Sequence, residues 1–175
     1  MTNPKFRLQG IMLASLIFIA DQALKYIMIG PLALESRRQI HLLPMFDLTW
    51  AENRGVSMGF LEANSEAQRW MLVGLTALIA GVVAVWMWRE KLRGDILALS
   101  MVLGGALGNI VDRIRYGYVV DYADLHFGDF RPFFIFNLAD ACITIGVLIL
   151  LARAFLIREK EPVQQSASDA PISDT

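Results

Sequence analysis

Two aspartates in separate parts of the chain have the side chains and surroundings best suited to do chemistry. Asp121 lies in the β-favouring run Val119-Val120-Asp121-Tyr122, and Asp140 lies at the start of a long apolar segment. Two carboxylates in a poorly solvated site cannot both ionise cheaply, so such a pair shares one proton. The ionised member can take a proton from water, and the protonated member can hydrogen-bond a carbonyl oxygen. If the two aspartates meet, they predict peptide hydrolysis that needs neither a metal ion nor a cofactor.

Each aspartate also has a simpler explanation, and the residues alone leave it open. Asp140 falls in the first turn of a predicted helix, where an acid stabilises the positive end of the helix dipole. Asp121 can be an ordinary solvated loop acid. Spacing along the chain does not bring the two side chains into contact, so the elements that carry them must decide.

The composition indicates that those elements lie in a membrane. The 175 residues are 55% apolar and only 19% charged, with a mean hydropathy of +0.47, which is too apolar for a soluble domain. Sixteen Lys and Arg nearly balance 17 Asp and Glu, which excludes a basic nucleic-acid binder. The single cysteine, Cys142, excludes a disulfide framework and a cysteine-based zinc cluster.

Four apolar segments, at residues 9–30, 70–88, 96–111 and 138–157, predict four transmembrane helices. The fold class is therefore an all-α membrane protein, a four-helix bundle that forms one domain over residues 1–158. Residues 159–175 are polar and predict a disordered cytoplasmic tail. Gly104 and Gly108 form a small-xxx-small pair in the third segment, which predicts close helix packing.

The distribution of Lys and Arg predicts the orientation. Basic residues cluster before the first segment, between the second and third, and after the fourth, so both termini are expected in the cytoplasm. Connections 31–69 and 112–137 then face outward, and Asp121 and Asp140 share the outer face. Partial alternation of apolar residues over 40–50 predicts a small extracytoplasmic β-sheet in the first outer loop.

Five motifs, in order along the chain, resemble those of the bacterial signal peptidase II family, the lipoprotein signal peptidases. Phe136-Asn137-Leu138-Ala139-Asp140-Ala141-Cys142-Ile143 is similar to the second catalytic motif, and Val119-Val120-Asp121-Tyr122 to the first. The other three resemblances are carried by Asp21-Gln22-Ala23-Leu24-Lys25 in the first span, Asn53-Arg54-Gly55-Val56-Ser57 in the first outer loop, and Gly104 to Asn109 with Asp112-Arg113. Tyr122 stands where the family usually has Phe, and Met58 where an aromatic residue is common.

The resemblance implies a multi-pass aspartic endopeptidase of the bacterial cytoplasmic (inner) membrane, with Asp121 and Asp140 as the catalytic dyad. Its substrates would be diacylglyceryl-modified prolipoproteins, cleaved just before the lipid-modified cysteine. The outer sheet would be the β-cradle of the family, and the site would open toward membrane lipids near the outer face. The family also implies inhibition by cyclic peptide antibiotics of the globomycin type. Independently of the resemblance, we expect a monomer without metal or other cofactors.

Further polar residues are candidates for supporting the dyad. Asp21 and Lys25 are spaced i, i+4, which predicts an ion pair that lowers the cost of burying each charge. Asn109 and Asn137 can hydrogen-bond the dyad or the substrate, or merely tie helices together. Asn53, in the loop that also holds Gly55, is either a substrate clamp or a turn residue. Arg113 can bind a carbonyl or a lipid phosphate, pair with Asp112, or extend to the interface.

Two other classes of protein compete with a peptidase. A proton-coupled transporter would use Asp140 and Asp21 as a relay, although the four spans show no internal repeat. A structural membrane scaffold would need neither Asp140 nor Asp21 for its function. Asp121, Asp124 and His126 could form a crude metal cluster, but the chain has no H-E-x-x-H motif, so we expect no metal.

Overall fold

The computed structural model describes residues 4–55, 66–128 and 130–157. The predicted tail and Met58 lie outside these residues. The described chain contains, in order, α1 (Pro4–Ile29), α2 (Leu34–Arg37), β1 (Gln39–Leu43), β2 (Phe46–Asn53), α3 (Glu66–Arg89), α4 (Arg93–Tyr116), β3 (Val119–Leu125) and α5 (Leu138–Ile157).

Four of these helices, α1, α3, α4 and α5, are long and apolar enough to cross a membrane. Together with the small antiparallel sheet, they confirm the predicted fold class. Helix α4 has 24 residues, whereas the third apolar segment has 16 (residues 96–111), because α4 begins at Arg93 and continues through Asp112 and Arg113 to Tyr116. A hydropathy pattern ends at such charges, since burying an unpaired charge in lipid is costly.

Helix α4 is the centre of the bundle and packs against α1, α3 and α5. Over half of its apolar stretch is buried, against less than a third in each of the other long helices. Glycines allow the close approach: a Cβ on Gly104 would lie 2.6 Å from the carbonyl oxygen of Ala14 in α1. A Cβ on Gly105 would lie 2.5 Å from the carbonyl oxygen of Ala139 in α5. The predicted close packing at Gly104 is therefore confirmed.

The sheet has the order β1-β2-β3 and is antiparallel throughout. The first connection supplies β1 and β2, as the alternation predicts, but β3 comes from the second connection. The expectation that the sheet lies within the first outer loop is therefore too narrow. A two-stranded hairpin is marginal alone, and β3 pairs with the free edge of β2, opposing Ala51 to Asp121.

A glycine and an apolar cluster fix where β3 lies relative to the helices. Gly117 ends α4 in the left-handed conformation (φ 85°), which favours glycine, and its N–H bonds the carbonyl of Arg113. The chain enters β3 two residues later. Residues from the sheet then pack against the end of α1 and against α2, in a cluster of Met28, Leu34, Leu48, Trp50, Val120, Tyr122 and Ala123. Asp121 is thereby held at the end of the bundle where α5 begins.

Candidate active site

The first turn of α5 is capped by residues of the predicted site. Asn137 precedes the helix, and its Oδ1 accepts a hydrogen bond from the backbone N–H of Asp140 at 2.9 Å. The hydroxyl of Tyr122 accepts the N–H of Leu138 at 3.3 Å. These contacts satisfy N–H groups that have no partner within a helix. Because Asn137 is the capping residue, the carboxylate of Asp140 is available for other contacts.

Asp121 is 2% exposed and lies in β3. Asn137 donates from Nδ2 to Asp121 Oδ1 at 2.6 Å, and the side chain of Asn53 also hydrogen-bonds this carboxyl. Burial and, after it, the negative charge of Asp140 raise the pKa of Asp121 to about 7, although the two asparagines act in the opposite direction. The two aspartates therefore lie in one site, where the charge of one disfavours ionisation of the other.

Two asparagines connect the two carboxyl groups. Asn109, in α4, donates from Nδ2 to Asp140 Oδ1 at 2.8 Å. Asn137 donates to Asn109 Oδ1 at 3.3 Å as well as to Asp121. Both side chains are buried, whereas Asp140 is half-buried. The interpretation that these asparagines only tie helices together is therefore incomplete, because each one contacts an aspartate.

A buried group of three charges lies on the α1 side of the dyad. Lys25 Nζ is 2.9 Å from Asp21 Oδ2 and 2.7 Å from Asp112 Oδ2, and none of the three side chains is more than 2% exposed. The Asp21–Lys25 pair matches the spacing prediction. Asp112 pairs with Lys25, which was not among the partners that the sequence suggested. Lys25 also donates to Asn109 Oδ1 at 3.1 Å, so this group contacts the asparagines of the dyad.

The same carboxylates hold the backbone on both sides of the dyad. Asp112 Oδ2 accepts the N–H of Val120, the residue before Asp121, at 3.1 Å. Asp21 Oδ1 accepts the N–H of Ala139, the residue before Asp140, at 3.1 Å. Each aspartate of the dyad is therefore next to a backbone group that is anchored to the buried charges.

Sequence reasoning missed Gln22 as part of this network. Its Nε2 donates to Asp112 Oδ1 at 2.9 Å and lies 3.3 Å from both Asp21 Oδ2 and the carbonyl oxygen of Gly108. The only available signal was a polar amide inside an apolar span, which needs a partner in lipid.

Arg113 and Gly55 complete the surroundings of the dyad. Arg113 follows Asn109 by one helical turn, and its Nε is buried without a hydrogen-bond partner among the described residues. Gly55 has a φ of 83° and lies beside the guanidinium, since a Cβ on it would be 3.7 Å from Arg113 Nη2. Asn53 Oδ1 accepts the N–H of Gly55 at 3.0 Å. Asn53 is thus a turn residue that also contacts Asp121.

The other acids of the sheet lie outside this site. Asp124 bonds Thr49 and Arg131, each at 3.1 Å, and His126 bonds Asp47 at 3.1 Å. Asp121, Asp124 and His126 therefore do not form the metal cluster that was weighed against the dyad. Within the described ranges, no three His, Cys, Asp or Glu side chains are grouped so as to hold a metal ion.

Fold and site together define a small multi-pass membrane protein with an amide-bridged pair of acids, one buried and one half-buried, at one end of a four-helix bundle. The chain matches the family described as signal peptidase (SPase) II over residues 13–156. It belongs to that family, and it is therefore a protease of bacterial membranes.

Similar proteins agree with this assignment. The "Lipoprotein signal peptidase" of Sphingopyxis alaskensis is 57% identical over 151 residues, 86% of this chain and 87% of that protein. The protein of the same name from Rhizorhabdus wittichii is 55% identical over 150 residues, 86% and 87% of the two chains. A solved structure described as a bacterial membrane enzyme, at 1.9 Å resolution, is 28% identical with a TM-score of 0.72 and covers 85% of this chain and 92% of its own. The family assignment does not favour a transporter.

Proposed function

We propose that this protein is an aspartic endopeptidase that removes the signal peptide from diacylglyceryl-modified prolipoproteins. It cuts just before the lipid-modified cysteine, and Asp121 and Asp140 are its catalytic residues. The names of its relatives support the substrate class. The observation that carries the catalytic assignment is the pair of carboxyl groups bridged by Asn109 and Asn137, with the pKa of Asp121 raised to about 7 beside the charge of Asp140.

The environments of the two aspartates assign their roles. Asp121 is buried and holds the shared proton below a pH of about 7, and we assign the role of general base to the half-buried Asp140. Asp140 Oδ1 accepts the amide of Asn109, and we assign the contact with the attacking water to its other oxygen. Asp121 is then the group that hydrogen-bonds the carbonyl oxygen of the scissile peptide.

The reaction follows from these roles. Asp140 takes a proton from water as the water oxygen bonds to the carbonyl carbon, and Asp121 gives its proton to the carbonyl oxygen. Asp140 then passes its proton to the peptide nitrogen, the C–N bond breaks, and Asp121 recovers a proton from the diol. The products are a signal peptide with a new carboxyl group and a lipoprotein with a free amino group on its first cysteine.

The placement of charge supports a location at the outer face with both termini in the cytoplasm. The dyad lies at the end of the bundle where α1 and α4 end and α5 begins. The opposite end carries the clustered basic residues that favour the cytoplasmic side, including Arg7, which lies 4.5 Å from the ring of Trp88. A substrate anchored by lipid then presents its scissile bond at the depth of the dyad. We assign the binding of a substrate carbonyl to Arg113, whose Nε has no hydrogen-bond partner among the described residues.

One chain supplies both aspartates and the two asparagines that bridge them, which supports action as a monomer. We expect the reaction to need no cofactor. Cyclic peptide antibiotics of the globomycin type are expected to inhibit by occupying this site. The chelation test is direct: activity should survive incubation with a strong chelator, and a loss that zinc restores would contradict the proposed mechanism.

The decisive experiment replaces each catalytic residue separately. Asp121→Asn and Asp140→Asn should each lower the rate of cleavage of a purified lipidated prolipoprotein by roughly 100- to 10,000-fold, since each removes an acid–base group. Asp124→Asn is the matched control, because Asp124 is a buried acid of the same strand that contacts Thr49 and Arg131 instead. Full cleavage by either dyad variant would overturn the mechanism, and equal cleavage of an unlipidated precursor would overturn the substrate class.

A further inference from the structure

We propose that Lys25 is a positioning residue for the dyad, which fixes the orientation of the Asn109 amide so that its NH2 group faces Asp140. This inference rests on the proposed function. It assigns Lys25 a role beyond neutralising Asp21 and Asp112, because the lysine acts through an asparagine on the residue that activates water.

The orientation follows from what each group can donate. A lysine ammonium has three hydrogen-bond donors and no acceptor. Nζ of Lys25 has three neighbouring oxygens: Asp112 Oδ2 at 2.7 Å, Asp21 Oδ2 at 2.9 Å and Asn109 Oδ1 at 3.1 Å. The atom of Asn109 that faces the ammonium must therefore be oxygen, which leaves Nδ2 to face Asp140 Oδ1 at 2.8 Å.

A reversed Asn109 amide would be unfavourable at both ends. Its NH2 group would face the ammonium of Lys25, and its oxygen would face the carboxylate of Asp140. Both contacts would then pair like partial charges in a buried site, where such contacts are costly. Lys25 therefore makes one orientation of the amide strongly preferred.

The second asparagine is oriented by the same logic from a different donor. The backbone N–H of Asp140 can only donate, and it bonds Asn137 Oδ1 at 2.9 Å. Nδ2 of Asn137 must then face Asp121 Oδ1 at 2.6 Å and Asn109 Oδ1 at 3.3 Å. Two donors orient these amides: the backbone N–H of Asp140 and the ammonium of Lys25. A substitution can remove the ammonium of Lys25 but not the backbone N–H.

A purely neutralising lysine predicts something different. Asp21 and Asp112 would account for its burial, and its loss would affect folding without any particular link to Asn109. A positioning lysine predicts that Lys25→Met lowers kcat while KM changes little, because Lys25 acts on Asp140 and not on the substrate. The pH–kcat profile should also move to higher pH, because the charge of Lys25 lowers the pKa of Asp121 in the intact protein. The charged groups that act on Asp121 are Asp140, Lys25 and Arg113, and Asp21 and Asp112 lie next to Lys25.

The test is a double-mutant cycle with Lys25→Met and Asn109→Ala, measured as kcat on a lipidated prolipoprotein. Each single variant should lose about 10- to 100-fold, the range expected for one hydrogen bond to a charged group. If Lys25 acts through Asn109, the double variant should lie within about threefold of the worse single variant. Effects that multiply, or a Lys25→Met variant with unchanged kcat, would overturn the assignment.

Gln22→Met is the matched control. Gln22 donates to the same carboxylates, Asp21 and Asp112, but it makes no contact with Asn109 among its hydrogen bonds described above. Its effect should multiply with that of Asn109→Ala. If Lys25→Met does not fold, Lys25→Met/Asp112→Asn takes its place in the cycle, with Asp112→Asn as the reference, because the net charge of the network is then unchanged. Active Asp121→Asn or Asp140→Asn enzyme would refute the proposed function, whereas inactive dyad variants with a multiplicative cycle would refute only the role of Lys25.

Discussion

Replacing Gly105 by alanine tests how closely the geometry of the dyad depends on the packing of α4 against α5. The new Cβ would lie 2.5 Å from the carbonyl oxygen of Ala139 and 2.9 Å from Ile143 Cγ1. Ordinary van der Waals contact begins at 3.4 Å, so the first turn of α5 must move away from α4 by about 0.9 Å. Ala139 directly precedes Asp140, and the shift therefore carries the carboxylate with it.

The expected loss of activity follows from that displacement. The Asn109–Asp140 hydrogen bond would lengthen from 2.8 Å to about 3.7 Å, beyond hydrogen-bonding range. A misplacement of about 1 Å at a catalytic group can cost roughly 100-fold in rate. Overpacking lowers the free energy of unfolding by about 1–3 kcal/mol, and the better helix propensity of alanine offsets about 1 kcal/mol of that loss. Gly105→Ala should therefore fold but lose roughly 100-fold in kcat.

Gly81→Ala in α3 is the matched control, because a Cβ there would meet nothing within 4 Å. The assay follows cleavage of a lipidated prolipoprotein, and folding is followed separately by the reaction of Cys142 with a thiol-reactive fluorophore. Cys142 is buried and is the only cysteine in the sequence, so its reaction reports unfolding. Wild-type kcat in Gly105→Ala would refute the geometric reasoning, as would an equal loss in Gly81→Ala.

Four further predictions concern residues of the sheet. The kcat should fall as pH rises through about 7, because Asp121 must hold a proton, and a rate that stays constant to pH 9 would contradict this role. The free energy of unfolding should also fall between pH 3.8 and about 7, since the unfolded chain ionises Asp121 first, and Asp121→Asn should remove this slope in a thermal unfolding series. Tyr122→Phe should cost about 1 kcal/mol of stability, measured by the thiol assay, because it removes the acceptor of the Leu138 N–H; an unchanged midpoint would mean that this bond contributes nothing. Asp47→Ala should lower the unfolding temperature while kcat stays near wild type, since it removes the acceptor of His126 and two other donors outside the site, and a large loss of kcat would tie that cluster to catalysis.

The sequence was sufficient for the features that depend on local pattern. Hydropathy predicts the four long helices, alternation predicts β1 and β2, and an i, i+4 spacing predicts the Asp21–Lys25 pair. The motif resemblance predicts that Asp121 and Asp140 act together. Each of these signals is read within one segment, or from a known set of motifs.

The features that were missed depend on contacts between distant segments. The predicted third span ends before Asp112 because an unpaired charge is costly in lipid. The structure shows that α4 continues past Asp112 because Lys25 from α1 forms an ion pair with its carboxylate. Gln22 is a polar amide inside an apolar span, which indicates that it needs a partner but does not identify Asp21 and Asp112 as the partners. The pairing of β3 with β2 likewise joins two connections on opposite sides of α3 and α4 in the chain.

The capping of α5 has a consequence for the biosynthesis of the enzyme. The N–H groups of its first turn are held by Asp21 from the first long helix, by Tyr122 from the sheet and by Asn137 beside it. Asp140 itself lies on α5, which is translated after the other long helices of the described chain. A nascent chain that has inserted α1, α3 and α4 therefore has Asp121 but lacks Asp140. On the proposed mechanism, a chain that has not yet inserted α5 lacks Asp140 and cannot cleave a substrate.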